Sequence, residues 1–185
     1  MKFRIFFHHF LIFAGCLSFI GCASTASLQF KTTLAPAAAK NVSVKIDSFV
    51  DERSEPERGV IGGVYNGYNM RMGDVKEPVD LVATMMEAVR SEVKNAGYRI
   101  SDNAQDLVVR GFVKLVACDS GNGKTSQLTL RLVVEDKGQE ILNKIYHEQS
   151  SNRFTLTLNC GPVLTESLQK IASQFVQDLN EYIKT

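Results

Sequence analysis

Between Leu107 and Glu135 the chain alternates apolar and polar residues, and this period of two constrains the fold more than any other stretch. Leu107, Val109, Val113 and Leu115 alternate against Arg110 and Lys114. Leu128, Leu130, Leu132 and Val134 alternate against Thr129, Arg131 and Glu135. Successive side chains of a strand point to opposite faces, so each run predicts a strand with one buried face and one wet face. That division is the signature of an antiparallel sheet. Asp136-Lys137-Gly138-Gln139 supplies a turn into a third run, Glu140 to Glu148, and completes a hairpin. Val42 to Asp47 alternates in the same way and predicts a first strand ending near Phe49, while Tyr98-Arg99-Ile100 starts a short one.

Elsewhere the period changes to that of a helix. Val79, Val82, Met86, Val89 and Val93 step by three and four, with Met85 and Ala96 widening the stripe. The spacing predicts an amphipathic helix over residues 78–96, with Pro78 in its first turn and Gly97 past its end. Leu164, Leu168, Ile171, Phe175, Leu179 and Tyr182 predict a second helix that follows Gly161-Pro162. Met-containing stripes at this spacing are core surfaces rather than cofactor boxes. The fold class is therefore α+β: a mainly antiparallel sheet with two amphipathic helices packed on one face, occupying residues 42–185 as a single domain.

The chain opens with a positive start, Lys2 and Arg4, and an apolar run from Phe10 to Ile20. This has the form of a signal peptide over residues 1–21 and is shorter than the roughly 20 apolar residues of a spanning helix. Phe19-Ile20-Gly21-Cys22 matches a bacterial lipobox, with Phe19 where Leu is usual, and assigns Cys22 as the site of lipidation. Phe13-Ala14-Gly15-Cys16 is a second match, but the apolar Leu17-Ser18-Phe19-Ile20 follows it, whereas polar and small residues follow Cys22. Cleavage after Ser24-Thr25-Ala26, giving a soluble exported protein, is the other alternative. A lipidated Cys22 tethers the chain to a membrane and leaves everything after it outside the cytoplasm. Ser24, rather than Asp, at the second mature position points to the outer membrane, with the domain facing the periplasm. Residues 22–41, rich in Ala and Thr, read as the lipidated cysteine and a flexible tether, from which Leu28 and Phe30 can dock on the domain.

Removing Lys2 and Arg4 from the 21 basic residues leaves 19 against 20 acidic ones. A near-neutral chain has no electrostatic claim on nucleic acid. Cys118 and Cys160 remain in an oxidising compartment, where they either form a disulfide or stay as two buried thiols; spacing alone does not decide. With His147 the only histidine after the signal and no C-x-x-C, no metal site and no cofactor is expected. Gly121-Asn122-Gly123-Lys124-Thr125 ends like a phosphate-binding loop, yet the required first glycine would fall at Cys118 and the segment joins two strands. No nucleotide site follows. There is no G-x-S-x-G elbow, and the acids Asp51, Glu52, Glu55 and Glu57 cluster as a solvated turn does. The chain is read as not an enzyme.

Phe49-Val50-Asp51-Glu52-Arg53 and the segment Gly59 to Tyr68 hold the candidate binding residues Asp51, Arg53, Tyr65 and Tyr68. Asp51 and Arg53 either pair with each other or shape a recognition loop. The glycine-rich segment is compatible with a short strand or a mobile loop. First strand, F-x-D-x-R loop, glycine-rich segment, a helix ending Ala96-Gly97-Tyr98 and leucine-alternating strands together resemble the YajG-like family of bacterial lipoproteins, over roughly residues 42–183. A weaker similarity extends to the lipoproteins that activate penicillin-binding proteins and to the curli-secretion lipoprotein. The resemblance implies an outer-membrane lipoprotein facing the periplasm, without an established enzymatic role. Two functions fit: an interaction or assembly module docking on an envelope protein through a sheet face, an edge strand or the glycine-rich loop, and a small-ligand or glycan-binding domain using the two tyrosines with Asp51 and Arg53.

Overall fold

The computed structural model describes residues 23–30, 35–55, 58–104, 106–152 and 159–184. In chain order its elements are β1 (Ser24–Thr25), β2 (Ser43–Asp51), β3 (Val60–Tyr65), β4 (Arg71–Lys76), α1 (Leu81–Asn95), β5 (Arg99–Ile100), β6 (Leu107–Ser120), β7 (Lys124–Asp136), β8 (Gln139–Asn152) and α2 (Gly161–Lys184). Cys16, Cys22, Pro56 and Glu57 lie outside the described residues.

The alternating runs form the meander β6, β7, β8. β6 pairs with β7 from Leu107↔Asp136 to Ser120↔Lys124, and β7 with β8 from Lys124↔Asn152 to Asp136↔Gln139, all antiparallel. Lys137 and Gly138, at φ 48° and 83°, make the two-residue turn between β7 and β8. Positive φ at both positions is what a type I′ hairpin turn requires. The register shifts between Val113 and Leu115, so the inward position passes to Val116. Leu115, expected inside, is only half-buried, because one extra residue inverts a period-two pattern.

As a whole the sheet is mixed, not mainly antiparallel. β2 runs parallel to β6, from Val44↔Leu107 to Asp51↔Val113, and parallel to β5. β3 meets β6 in parallel at Val64↔Ser120, and β1 runs parallel to β4. Between β2 and β5 the chain passes through α1, and a crossover of this kind returns it in the same direction. Alternation reports that one face of a strand is wet; it carries no information on the direction of the neighbour. That is why the parallel half of the sheet was not foreseen.

Both helices bury their stripes in one core against the inner face of the sheet. Met85, Val89 and Val93 of α1 and Leu164, Leu168, Ile171, Phe175 and Leu179 of α2 meet Val44, Ile46, Val109, Val113, Leu128, Leu130 and Leu132. Burying each such side chain is worth about 2 kcal/mol against leaving it in water. Phe175 sets the edge of its ring against Tyr146, with centroids 6.2 Å apart. Val79 is 97% exposed rather than part of the stripe, since α1 begins at Leu81, beyond it.

The stretch expected as a flexible tether lies, in its described parts, on the domain. Ser24 and Thr25 pair with Val75 and Lys76, the Ala26 amide donates to the Lys76 carbonyl at 3.0 Å, and Ala26 is buried. Leu28 and Phe30 pack against the core, as their apolar character allows. Farther on, the Ala37 amide donates to the Asn95 carbonyl and the Lys40 amide to the Gly97 carbonyl, at 2.8 and 2.7 Å. Lys40 also lies over the Tyr98 ring, 3.9 Å from its centroid. Burial pushes the Tyr98 hydroxyl up to about 12, so it stays a neutral donor to Asn180 Oδ1 at 2.7 Å.

Gly97 is doubly required: its φ is +89°, and a Cβ there would stand 2.1 Å from the Ala38 carbonyl oxygen. Gly97→Ala should lower stability by at least about 2 kcal/mol, read from the urea midpoint, because backbone strain and the displaced segment at Ala38 add.

Candidate functional site

β2 ends at Asp51, and the chain turns at once into Arg53, whose side chain is 1% exposed. Its backbone amide and Nε donate to Asp51 Oδ1 at 3.1 and 2.9 Å, and Nη2 donates to Asp51 Oδ2 and to Glu77 Oε2, both at 2.7 Å. A two-residue offset lets the guanidinium fold back over the carboxylate with its planar fork. Glu77, just past β4, brings the far end of the hairpin strand into the same cluster. Arg58 closes it from outside, donating to the Asp51 carbonyl at 2.9 Å and to Glu55 Oε1 at 2.7 Å. Hydrogen bonds from Arg53 hold the Asp51 carboxyl below its ordinary value of 3.8. Of the two sequence readings, the structure displays the paired one: Asp51 and Arg53 join β2, β4 and the segment between them.

Tyr65 and Tyr68 sit at the opposite end of the β3–β4 hairpin. Six residues of β3 separate the two ends, about 16 Å at 3.3 Å per residue. The four candidate residues thus form two separate groups, and the combined ligand site imagined for them does not assemble. The glycine-rich segment is a strand of this hairpin, not a loop. Gly62 passes so close to β6 that a Cβ would stand 2.1 Å from the Cys118 carbonyl oxygen, and the Gly63 amide donates to Asp119 Oδ1 at 2.7 Å. Tyr65 lays its ring over Gly63. In the turn, Asn66 Oδ1 accepts from the Tyr68 and Met70 amides at 2.9 and 3.0 Å, leaving Tyr68 87% exposed. The Gly121-Asn122-Gly123 stretch is the β6–β7 turn, and Asn122 Nδ2 reaches the Gly67 carbonyl at 3.0 Å, buttressing the hairpin tip.

Cys118, near the end of β6, and Cys160, directly before α2, are joined as a disulfide with Cα atoms 6.0 Å apart. Sequence spacing carried no sign of this proximity, because it depends on where α2 docks.

The outer face of the sheet, which sequence left open to a covering partner, is a ladder of ion pairs. Asp47 contacts Lys45 at 2.7 Å and Arg110 at 3.3 Å, and Arg110 contacts Glu135 at 2.6 Å. Lys45 first, then Arg110, hold the Asp47 carboxyl below its ordinary value. Glu52 takes both Lys114 and Arg131, and Arg131 lies 4.0 Å from the centroid of the Phe112 ring. A face of this kind is solvated and self-paired. His147, on the same sheet, meets Thr129 Oγ1 at 2.8 Å. Sequence reasoning also missed Asp178 of α2, whose Oδ2 accepts from Tyr146 at 2.6 Å and Lys144 at 2.7 Å beside a cleft of about 310 Å³. Among the described residues no group of three or more His, Cys, Asp or Glu is placed to hold a metal ion, and no helix is long and apolar enough to cross a membrane.

Solved structures share this fold. Protein XCC0632 of Xanthomonas campestris, described as a DUF330 protein, matches with a TM-score of 0.59 at 9% identity, over 88% of this chain and 97% of that one. A second, described as an uncharacterized protein, matches with a TM-score of 0.55 at 6% identity, over 85% and 99%. At such identities the likeness is one of fold alone. Lipoprotein GNA1162 of Neisseria meningitidis is a more distant neighbour, with a TM-score of 0.36 at 11% identity over 73% and 99%. No family model matches the sequence, and no curated protein matches it.

Arg53→Met should cost about 3 kcal/mol, because it leaves two carboxylates facing each other in a largely desolvated cluster. Asp51 has a depressed folded-state value, so its contribution is complete above 3.8 and is lost as pH falls through that lower value. Urea titrations should therefore find Asp51→Asn less stable than the parent at pH 7, with the gap closing below pH 3.8. The disulfide closes a separation of 42 residues, and the Cys118→Ala, Cys160→Ala double variant should lose about 4 kcal/mol by the loop-entropy relation.

Proposed function

We propose that the chain is a YajG-like lipoprotein, anchored through lipid on Cys22 in the outer membrane and facing the periplasm, whose domain is a non-enzymatic module that docks on another envelope protein. The observation that carries the anchor is the seat of the residues directly after Cys22. Ser24 and Thr25 are strand β1 and Ala26 is buried. Cleavage after Ala26, the soluble alternative, would discard a strand and a core residue. Cleavage before Cys22 keeps both.

The docking role is supported by β8. This strand of 14 residues pairs with β7 on one side, and among the described residues no strand pairs with its other side. An edge of that length offers main-chain donors and acceptors for strand addition. Asn143, Lys144 and Ile145 are exposed along it. The outer face, with its charges already paired, is the weaker surface.

Intact mass of the membrane-extracted protein tests the anchor. The expected result is a diacyl- or triacylglyceryl species beginning at Cys22, with the Cys22→Ala variant lost from the membrane fraction. An unlipidated species beginning at Ser27 would overturn the reading. For the docking role, a photo-crosslinking residue at Asn143 should capture one discrete envelope protein in cells, and a uniform absence of adducts there would remove β8 as the contact.

A further inference from the structure

β1 runs parallel to β4, and this direction has a consequence for where the anchor emerges. With Ser24 beside Val75 and Thr25 beside Lys76, the chain approaches β1 from the side of Asp74, Gly73 and Met72, which is the side of the hairpin tip. Ala23 is bonded to Cys22, so the two Cα atoms lie about 3.8 Å apart whatever else Cys22 does. From Val75 back to Met72 and Met70 is about 10 and about 16 Å along the strand direction. At that tip Tyr68, Met70 and Met72 are 87%, 56% and 51% exposed, the densest group of exposed large apolar side chains in the described residues.

The local chemistry suits an apolar boundary. Arg71 is paired with Asp74 at 2.9 Å and donates to the Gly62 carbonyl at 3.3 Å. Asn66 satisfies the amides of the turn, so the tip presents side chains rather than bare backbone. The buttress from Asn122 ties the tip to the β6–β7 turn. A tyrosine flanked by methionines is amphipathic in the way interfacial residues are, with an apolar ring and a hydroxyl that stays among headgroups.

We infer that the tip of the β3–β4 hairpin, through Tyr68, Met70 and Met72, rests in the interfacial layer of the membrane that holds the Cys22 lipid, orienting the domain on the bilayer surface. This rests on the anchored reading above. The other end of the sheet, where the β7–β8 turn and Tyr182 line one cleft with Asp106 and Asp136, then points away from the membrane.

The sequence contains no tryptophan, so a single Tyr68→Trp substitution gives a unique emitter. The native lipoprotein carrying it, checked by intact mass and reconstituted in phosphatidylethanolamine and phosphatidylglycerol vesicles, is compared with and without brominated acyl chains. The expected result is roughly twofold quenching by bromine for Tyr68→Trp and none for Tyr182→Trp, since interfacial side chains reach about 5–10 Å into the boundary. Adding Met70→Lys and Met72→Lys to Tyr68→Trp should abolish the quenching while leaving the protein on the vesicles. Lipidated, vesicle-bound protein whose Tyr68→Trp emission is unquenched would overturn the contact and leave the anchor intact. A blue shift without bromine quenching would assign the tip to a protein contact instead, and equal quenching at both positions would overturn the orientation. If the mass shows no lipid, the anchored reading fails separately; the same unlipidated variant added to vesicles then retains the contact if quenched and refutes it if not.

Discussion

Leu168, Ile171, Phe175 and Leu179 leave water only because β7 and β8 present Leu128, Leu130, Leu132, Leu142 and Tyr146 at matching depth, and the sheet keeps that face only while its register holds. A slip by one residue would send every leucine of β7 outward. The remaining elements are arranged around this contact. α1 covers the part of the sheet that α2 does not reach. β2 enters beside β6 because α1 supplies its crossover, and the disulfide fixes the start of α2 to the end of β6.

Much of this was readable from residue patterns, and the failures have definite causes. The stripe of α2 is regular over six positions, so period alone placed it, and the β7–β8 turn was written in Asp-Lys-Gly. Leu115 was misplaced because a bulge leaves no mark in composition. Val79 fitted the helical spacing but precedes the first helical residue, and spacing does not know where a helix begins. The parallel pairing of β2 with β6 depends on α1 crossing the sheet, a tertiary fact. The candidate loop was half legible: Asp51 and Arg53 were seen as a pair, while their third partner, Glu77, is 24 residues away in sequence and no local pattern joins them.

Charge in this protein is used chiefly to finish the fold. Arg53, Arg58, Arg110 and Arg131 each bind carboxylates of neighbouring strands or loops, and the outer face of the sheet is closed by such pairs. Features that look like recognition chemistry in the sequence are therefore internal fastenings. What is left for contact with other molecules is the strand edge at β8 and the apolar hairpin tip, features that depend on topology and exposure more than on reactive groups.

Ser27 sits where the two ends of the chain meet. Its amide donates to Asn159 Oδ1 across 132 residues, the Gln29 amide donates to Thr165 Oγ1 across 136, and Gly161 is so close that a Cβ would stand 1.9 Å from the Ser27 carbonyl oxygen. Contacts spanning most of a chain form late, since their loop-closure entropy is offset only after nearer contacts exist. The seat for residues 24–29 is therefore missing until the last helix has been made and has docked. Any enzyme that processes the chain ahead of Ser24 meets an unseated, accessible segment, and the finished fold then closes over the place where it worked.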